Sequence, residues 1–176
     1  MRFTETKVVG AFLIEPELIA DERGFFARTW CREEFEAHGL NPSLAQCSIS
    51  FNHRKGTLRG MHYQAAPHQE AKLVRCTLEA IWDVALDLRP GSPTYRTWYG
   101  VELSAANRAM LYIPEGCAHG FLTLADATEI AYQMSAPYAP AAARGVRFDD
   151  PAFGIEWPGE VVVVNDRDRT YPDVEL

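Results

Sequence analysis

Residues Glu79–Arg89 read EAIWDVALDLR. Ala80, Trp82, Val84, Leu86 and Leu88 are apolar and alternate along the chain, while Glu79, Asp83, Asp87 and Arg89 fall between them. A side-chain period of two is the strand repeat, so this pattern predicts a β-strand with one buried face. Further runs rich in Val, Ile, Tyr, Phe and Thr predict strands over 7–14, 44–51, 58–64, 71–78, 95–103, 110–113, 120–124, 128–134 and 161–164. Turn signals separate them at Asp21–Gly24, Asn52–Gly56, Arg89–Ser92, Ala105–Asn107 and Pro114–Gly116. Many short strands broken by turns are the mark of an all-β sandwich or barrel. One short helix is expected at Arg32–His38, with acidic residues near its start where the helix dipole favours them. The stretch Pro137–Ala143, rich in proline and alanine, reads as a loop. No repeat, low-complexity segment or linker divides residues 1–176, so the expected architecture is a single jelly-roll barrel of two packed antiparallel sheets.

Bulk properties narrow the function. The 176 residues carry 17 Lys+Arg against 24 Asp+Glu, a net charge of −7, and no basic run. A generic nucleic-acid surface is therefore not expected, whereas a small anionic ligand needs only a few placed cations. Cys31, Cys47, Cys76 and Cys117 form no C-x-x-C pair, which fits reduced thiols rather than a zinc knuckle or a disulfide framework. The N-terminal residues do not have a signal-peptide layout, and no stretch approaches the roughly 20 apolar residues that span a bilayer. A soluble, cytoplasmic protein is the expectation.

Strand parity then singles out polar residues in phase with the core. Lys72 shares its phase with Val74, Cys76 and Leu78; Tyr132 with Ile130 and Met134; His119 with Phe121; His62 with Leu58 and Gly60. Each has an ordinary structural use, since an inward His or Tyr is commonly a hydrogen-bonded core residue. Lysine is the least comfortable there, being almost never fully buried without a partner. Together they predict a polar lumen and a ligand site at the barrel mouth. Arg59 has the opposite parity to His62, so both face one pocket only if Gly60 permits a bulge.

In these segments the sequence resembles the dTDP-4-dehydrorhamnose 3,5-epimerase family of cupin-type sugar enzymes. The resemblance rests on DERGFFARTW (21–30), GTLRGMHYQ (56–64), QEAKLVRC (69–76), IWDVALDLRPGSPTY (81–95), LYIPEGCAHGF (111–121) and DDPAFGIEWP (149–158), in this order over nearly the whole chain. It implies a jelly-roll homodimer acting on a nucleotide-diphosphate sugar in deoxysugar biosynthesis, without cofactor or metal. Carried over by position, His62 corresponds to the catalytic base, Asp168 to the carboxylate orienting it, Tyr132 to the general acid and Lys72 to the lysine near the sugar C4 oxygen. Arg59 and His119 correspond to residues contacting the diphosphate or nearby sugar. Arg23 and Phe26 belong to a segment that helps close the partner subunit's nucleotide site, and Gln46 and Tyr138 are further substrate contacts. Arg28, Cys47, Ser48, Ala141, Ala143 and Phe148 depart from residues frequent in the family, which leaves the nucleotide and the sugar open.

These roles suit the chemistry. The C–H bonds at C3 and C5 of a 4-keto sugar are acidified by the adjacent carbonyl. Inverting such a centre needs a base on one face of the ring, an acid on the other, and a cation where charge builds on the C4 oxygen. Three rivals remain: a cupin ketoisomerase, a metal-dependent cupin using His62 and His119, and a non-catalytic nucleotide-sugar-binding module.

Overall fold

The computed structural model describes residues 1–174. Thirteen strands and two short helices follow in the order β1 (Arg2–Glu5), β2 (Phe12–Glu15), β3 (Ile19–Asp21), β4 (Gly24–Phe26), α1 (Arg32–Ala37), β5 (Gln46–Asn52), β6 (Leu58–Gln64), β7 (Lys72–Leu78), β8 (Ala80–Asp87), β9 (Trp98–Ser104), β10 (Met110–Ile113), β11 (Cys117–Thr123), β12 (Thr128–Met134), β13 (Ala143–Gly145) and α2 (Asp166–Arg169). Two sheets stack as a jelly roll: six strands in the order β1-β2-β10-β7-β12-β5, and five in the order β13-β6-β11-β8-β9. Strands β3 and β4 form a separate hairpin around the turn at Asp21–Gly24.

Between the sheets, Val74, Cys76, Leu111, Ile113 and Ile130 from one meet Ile81, Ala85, Leu103 and Phe121 from the other. A second cluster seats α1, whose Phe35 is 1% exposed against Ile14, Leu73, Met110 and Tyr112 on the outer face of the six-stranded sheet. Burying such a side chain contributes about 2–3 kcal/mol. The helix stops where expected, because Gly39 adopts φ +69° and the amides of Gly39 and Leu40 cap Glu36 and Phe35 carbonyls.

Strand β8 departs from its predicted pattern. Its polar phase is not solvated: Ile81, Asp83, Ala85 and Asp87 are all fully buried. The apolar phase faces the other way, where Phe153, Ile155 and Trp157 of the C-terminal segment cover Trp82, Val84 and Leu86. Cover on both faces, invisible to a local period, turned an apparent solvent face into barrel lining. The expected strand at 161–164 is likewise reduced to one bridge between Val163 and Thr57. That bridge still docks the C-terminal segment on the start of β6, where Leu58 N donates to Val163 O at 2.8 Å. The expected strand over 7–14 survives only at its end, in β2, because residues 7–11 form the turn that joins β2 back to β1, and the loop at 137–143 holds a 3-10 turn at Pro140–Ala142.

Candidate active site

Along β6 and β11 the register runs Leu58↔Leu122, Arg59↔Phe121, then His62↔His119. Three steps on β6 match two on β11, so β6 carries a bulge at Gly60–Met61. The bulge needs glycine: Gly60 sits at φ +138°, and a Cβ there would lie 2.5 Å from the Cα of Gly120. Its consequence is chemical. Arg59 and His62, out of phase in the sequence, both turn to the barrel side, while Met61 is buried in the outer cluster.

His62 leans on the C-terminal helix. Its Nε2 is 2.6 Å from Oδ1 of Asp168, whose carboxylate is fully buried and whose Oδ2 accepts the Gly60 amide at 3.1 Å. Asn165 caps α2 by accepting the Asp168 amide at 2.7 Å, fixing where that carboxylate points. Tyr171, just beyond α2, fills the space a side chain on Gly145 would need, and Gly145 is the register partner of His62. The imidazole is therefore held from behind, while its side chain keeps 39% exposure toward the opening. Nε2 donating to a carboxylate leaves Nδ1 as the lone-pair nitrogen.

Directly across the strand pair, His119 has its own buried carboxylate: Nε2 lies 2.7 Å from Oδ1 of Asp83. The rings of His119 and Tyr132 meet edge to face at 6.1 Å between centroids, which links the two sheets across the lumen. The Tyr132 hydroxyl shares a 2.9 Å hydrogen bond with Ser50. Burial pushes this phenol well above the ordinary tyrosine value, and the Ser50 bond only partly offsets that, so it stays protonated. One row further along, Gln46, Met134 and Lys72 lie side by side on the same face. The Lys72 ammonium pairs with Glu70 at 2.8 Å, and Gln46 accepts the backbone amide of Tyr138. Arg59 is held by Asn52 at 2.8 Å and the Phe51 carbonyl at 3.4 Å, its guanidinium otherwise open.

The fold thus gathers His62, Asp168, His119, Tyr132, Arg59, Lys72, Gln46 and Tyr138 at one end of the lumen. It does not bring Arg23 and Phe26 there within one chain. Arg23 is paired with Asp21, and Phe26, 71% exposed, borders a groove with Phe25, Arg75, Thr77 and Arg108 outside the six-stranded sheet. Asp83, Ser50, Asn52 and Glu70 were not anticipated. Asp83 had a signal, since it stands in phase between Ile81 and Ala85; the hydrogen bonds of the other three run to residues on other strands or loops. A groove of about 380 Å³ on the outer face of the same sheet, lined by Cys47, Ile49, Arg75, Thr77 and Gln133 among others, is not reached by either histidine or by Asp168. Among the described residues no cluster of three or more His, Cys, Asp or Glu could hold a metal ion. All four cysteines are free, and burial pushes the Cys76 thiol up to about 11, leaving it inert.

A model of the dTDP-4-dehydrorhamnose 3,5-epimerase family matches residues 5–175. The chain is 41% identical over 175 residues to dTDP-4-dehydrorhamnose 3,5-epimerase of Sinorhizobium fredii, covering 99% of this chain and 90% of the relative. Its fold is similar to crystal structures of the Bacillus anthracis dTDP-4-dehydrorhamnose 3,5-epimerase with TDP and pyrophosphate bound (TM-score 0.93, 37% identity, 98% of this chain and 99% of that one). It is also similar to NovW, a 4-keto-6-deoxy sugar epimerase from the novobiocin cluster of Streptomyces spheroides (TM-score 0.91, 36% identity, 98% of this chain and 87% of that one). The chain belongs to the dTDP-4-dehydrorhamnose 3,5-epimerase family and is, on that membership, an isomerase of the epimerase type.

Proposed function

We propose that this chain inverts C3, C5 or both of a nucleotide-linked 4-keto-6-deoxy sugar, the dTDP-linked 4-dehydro-6-deoxyglucose type being the leading substrate, with His62 as base and Tyr132 as acid. The observation that carries this reading is the His62–Asp168 pair. A 2.6 Å contact to a fully buried carboxylate fixes the tautomer and leaves Nδ1 free to take a proton from carbon. The imidazolium so formed is stabilised by the same carboxylate. Tyr132, kept protonated by burial, stands on the opposite sheet and returns a proton to the other face of the enolate. General acid–base help of this kind contributes roughly 10²–10⁴-fold.

Lys72 meets the negative charge on the C4 oxygen, and a preorganised donor at such a position is worth about 3–4 kcal/mol. Arg59, anchored yet exposed, suits a phosphate oxygen, and His119 a neighbouring hydroxyl or phosphate. The proposed working unit is one jelly-roll domain paired as a homodimer. Ile49, Phe51 and Leu78 leave 68%, 43% and 44% of their surface exposed on the outer face of the six-stranded sheet, and Phe25 and Phe26 on the hairpin add to them. An apolar patch of this kind favours a protein interface. A partner seated there would place Arg23 and Phe26 against the other subunit. Among the described residues no helix is long and apolar enough to cross a membrane.

Incubation with dTDP- and other nucleotide-linked 4-keto sugars in deuterated water, followed by NMR, tests the reading. Deuterium at C3 or C5 with inverted configuration is expected. A carbonyl moved to C3 would establish the ketoisomerase instead, and binding without exchange the non-catalytic module.

A further inference from the structure

Glu70 is a buried acid that the proton-transfer scheme does not use. Its side chain is 8% exposed, and Oε1 lies 2.8 Å from the Lys72 ammonium, itself only 13% exposed. The other oxygen, Oε2, accepts from Gln64 Nε2 at 3.1 Å. Gln64 is 3% exposed and grips the segment carrying Tyr138 from both sides. Its Nε2 also donates to the Pro137 carbonyl at 3.2 Å and the His68 carbonyl at 2.9 Å, and its Oε1 accepts the Ala139 amide at 2.6 Å. One chain of contacts therefore runs from the ammonium at the lumen to the backbone around Tyr138.

We infer that Glu70 is a positioning residue: through the Lys72–Glu70–Gln64 chain it aims the ammonium at the site of the enolate oxygen and ties that aim to the seating of the Tyr138 loop. The inference rests on the proposed epimerase reading. A lysine head on a flexible four-carbon stem has three equivalent donors and no fixed direction. Binding one of them to a carboxylate that is itself held by Gln64 leaves two for substrate in a defined orientation. Misplacement by about 1 Å can cost up to 10²-fold in rate, which sets the scale of the effect. Lys72 and Tyr138 sit at the site; Glu70 acts only through them.

Glu70→Gln keeps an oxygen for the Gln64 amide and removes the charge facing Lys72. Solvent-deuterium exchange by this variant should show kcat about 10–100-fold lower. KM, dTDP affinity and the melting temperature should stay close to wild type. A kcat within about twofold of wild type overturns the proposal, as does a raised KM with a lowered melting temperature, which marks a structural role. If Glu70→Gln does not fold, Lys72→Gln is compared with Lys72→Gln/Glu70→Gln, which has no unpaired charge. Equal residual rates are expected, and a further drop in the double variant overturns action through Lys72. The ammonium signal of Lys72 in ¹⁵N-resolved NMR supplies a readout without substrate: ordered in wild type and lost in Glu70→Gln. Persistence of that signal in the variant defeats the inference. Absence of exchange by wild-type protein on every 4-keto sugar defeats the epimerase reading instead.

Discussion

Asp168→Asn isolates the role of the buried carboxylate with little change of shape. In the wild-type protein Oδ1 faces His62 Nε2 at 2.6 Å and Oδ2 accepts the Gly60 amide at 3.1 Å. An asparagine must still accept from Gly60, so its NH₂ group turns toward His62. Nε2 then has to accept, the proton moves to Nδ1, and the nitrogen facing the sugar loses its lone pair. The same carboxylate-to-amide change in a His–Asp pair elsewhere lowers turnover about 10⁴-fold, equivalent to roughly 5.4 kcal/mol of barrier. The assay is deuterium wash-in at C3 and C5 of dTDP-4-dehydro-6-deoxyglucose, with dTDP affinity measured in parallel by calorimetry. Exchange should fall by about 10³–10⁴-fold while dTDP binds as before, because the nucleotide does not depend on the tautomer. Exchange within tenfold of wild type would show that Asp168 does not set the base and that His62 takes up its working tautomer without the buried carboxylate.

Lys72→Ala should lower the exchange rate by about 10²–10³-fold through loss of oxyanion stabilisation, and lower the melting temperature because the buried Glu70 carboxylate loses its partner; an undiminished rate removes Lys72 from the oxyanion. Tyr132→Phe should retain C–H exchange but yield little inverted product, and a normal epimer yield by NMR refutes its role as donor. The raised Tyr132 value also predicts a pH effect on stability. Above the ordinary tyrosine value of about 10 the unfolded chain loses this proton while the folded chain keeps it, so stability falls as pH rises, by up to about 1.4 kcal/mol per unit. Chemical denaturation between pH 9 and 11, the range about that value, should show a shallower decline for Tyr132→Phe than for wild type; parallel curves contradict the burial argument. Gly60→Ala should cost about 2 kcal/mol or more, from positive φ and the clash with Gly120, and lower the melting temperature by roughly 5 °C; an unchanged melting curve would mean the bulge does not need glycine.

How far the fold and site could be read in advance differs element by element. The strands carrying the site, β5 to β8 and β10 to β12, overlap the stretches where β-branched and aromatic residues recur, since their periodicity is local. Local alternation points the apolar phase of β8 inward, whereas the barrel takes the other phase because the C-terminal segment covers the first. The stretch 161–164 looked like a strand but finds pairing only at Val163, so its backbone became a tether for α2. Lys72, Tyr132 and His119 were picked out by parity alone. His62 shares a side with Arg59, the partner of the core residue Phe121, only through the Gly60 bulge, so it is not in phase with Leu58 as parity suggests; parity could state that condition but not decide it.

The order of residues alone was enough for an all-β barrel, a family and a shortlist of proton carriers, because strand period and motif order are written within a few residues of each other. Strand period alone could not show that Asp168, named only through the family resemblance, meets His62 across 106 positions, or that Asp83 lies behind His119 across 36. Those pairings depend on register, on a bulge and on the docking of a C-terminal helix. Each is settled by close packing of distant segments, which leaves no trace in any local pattern.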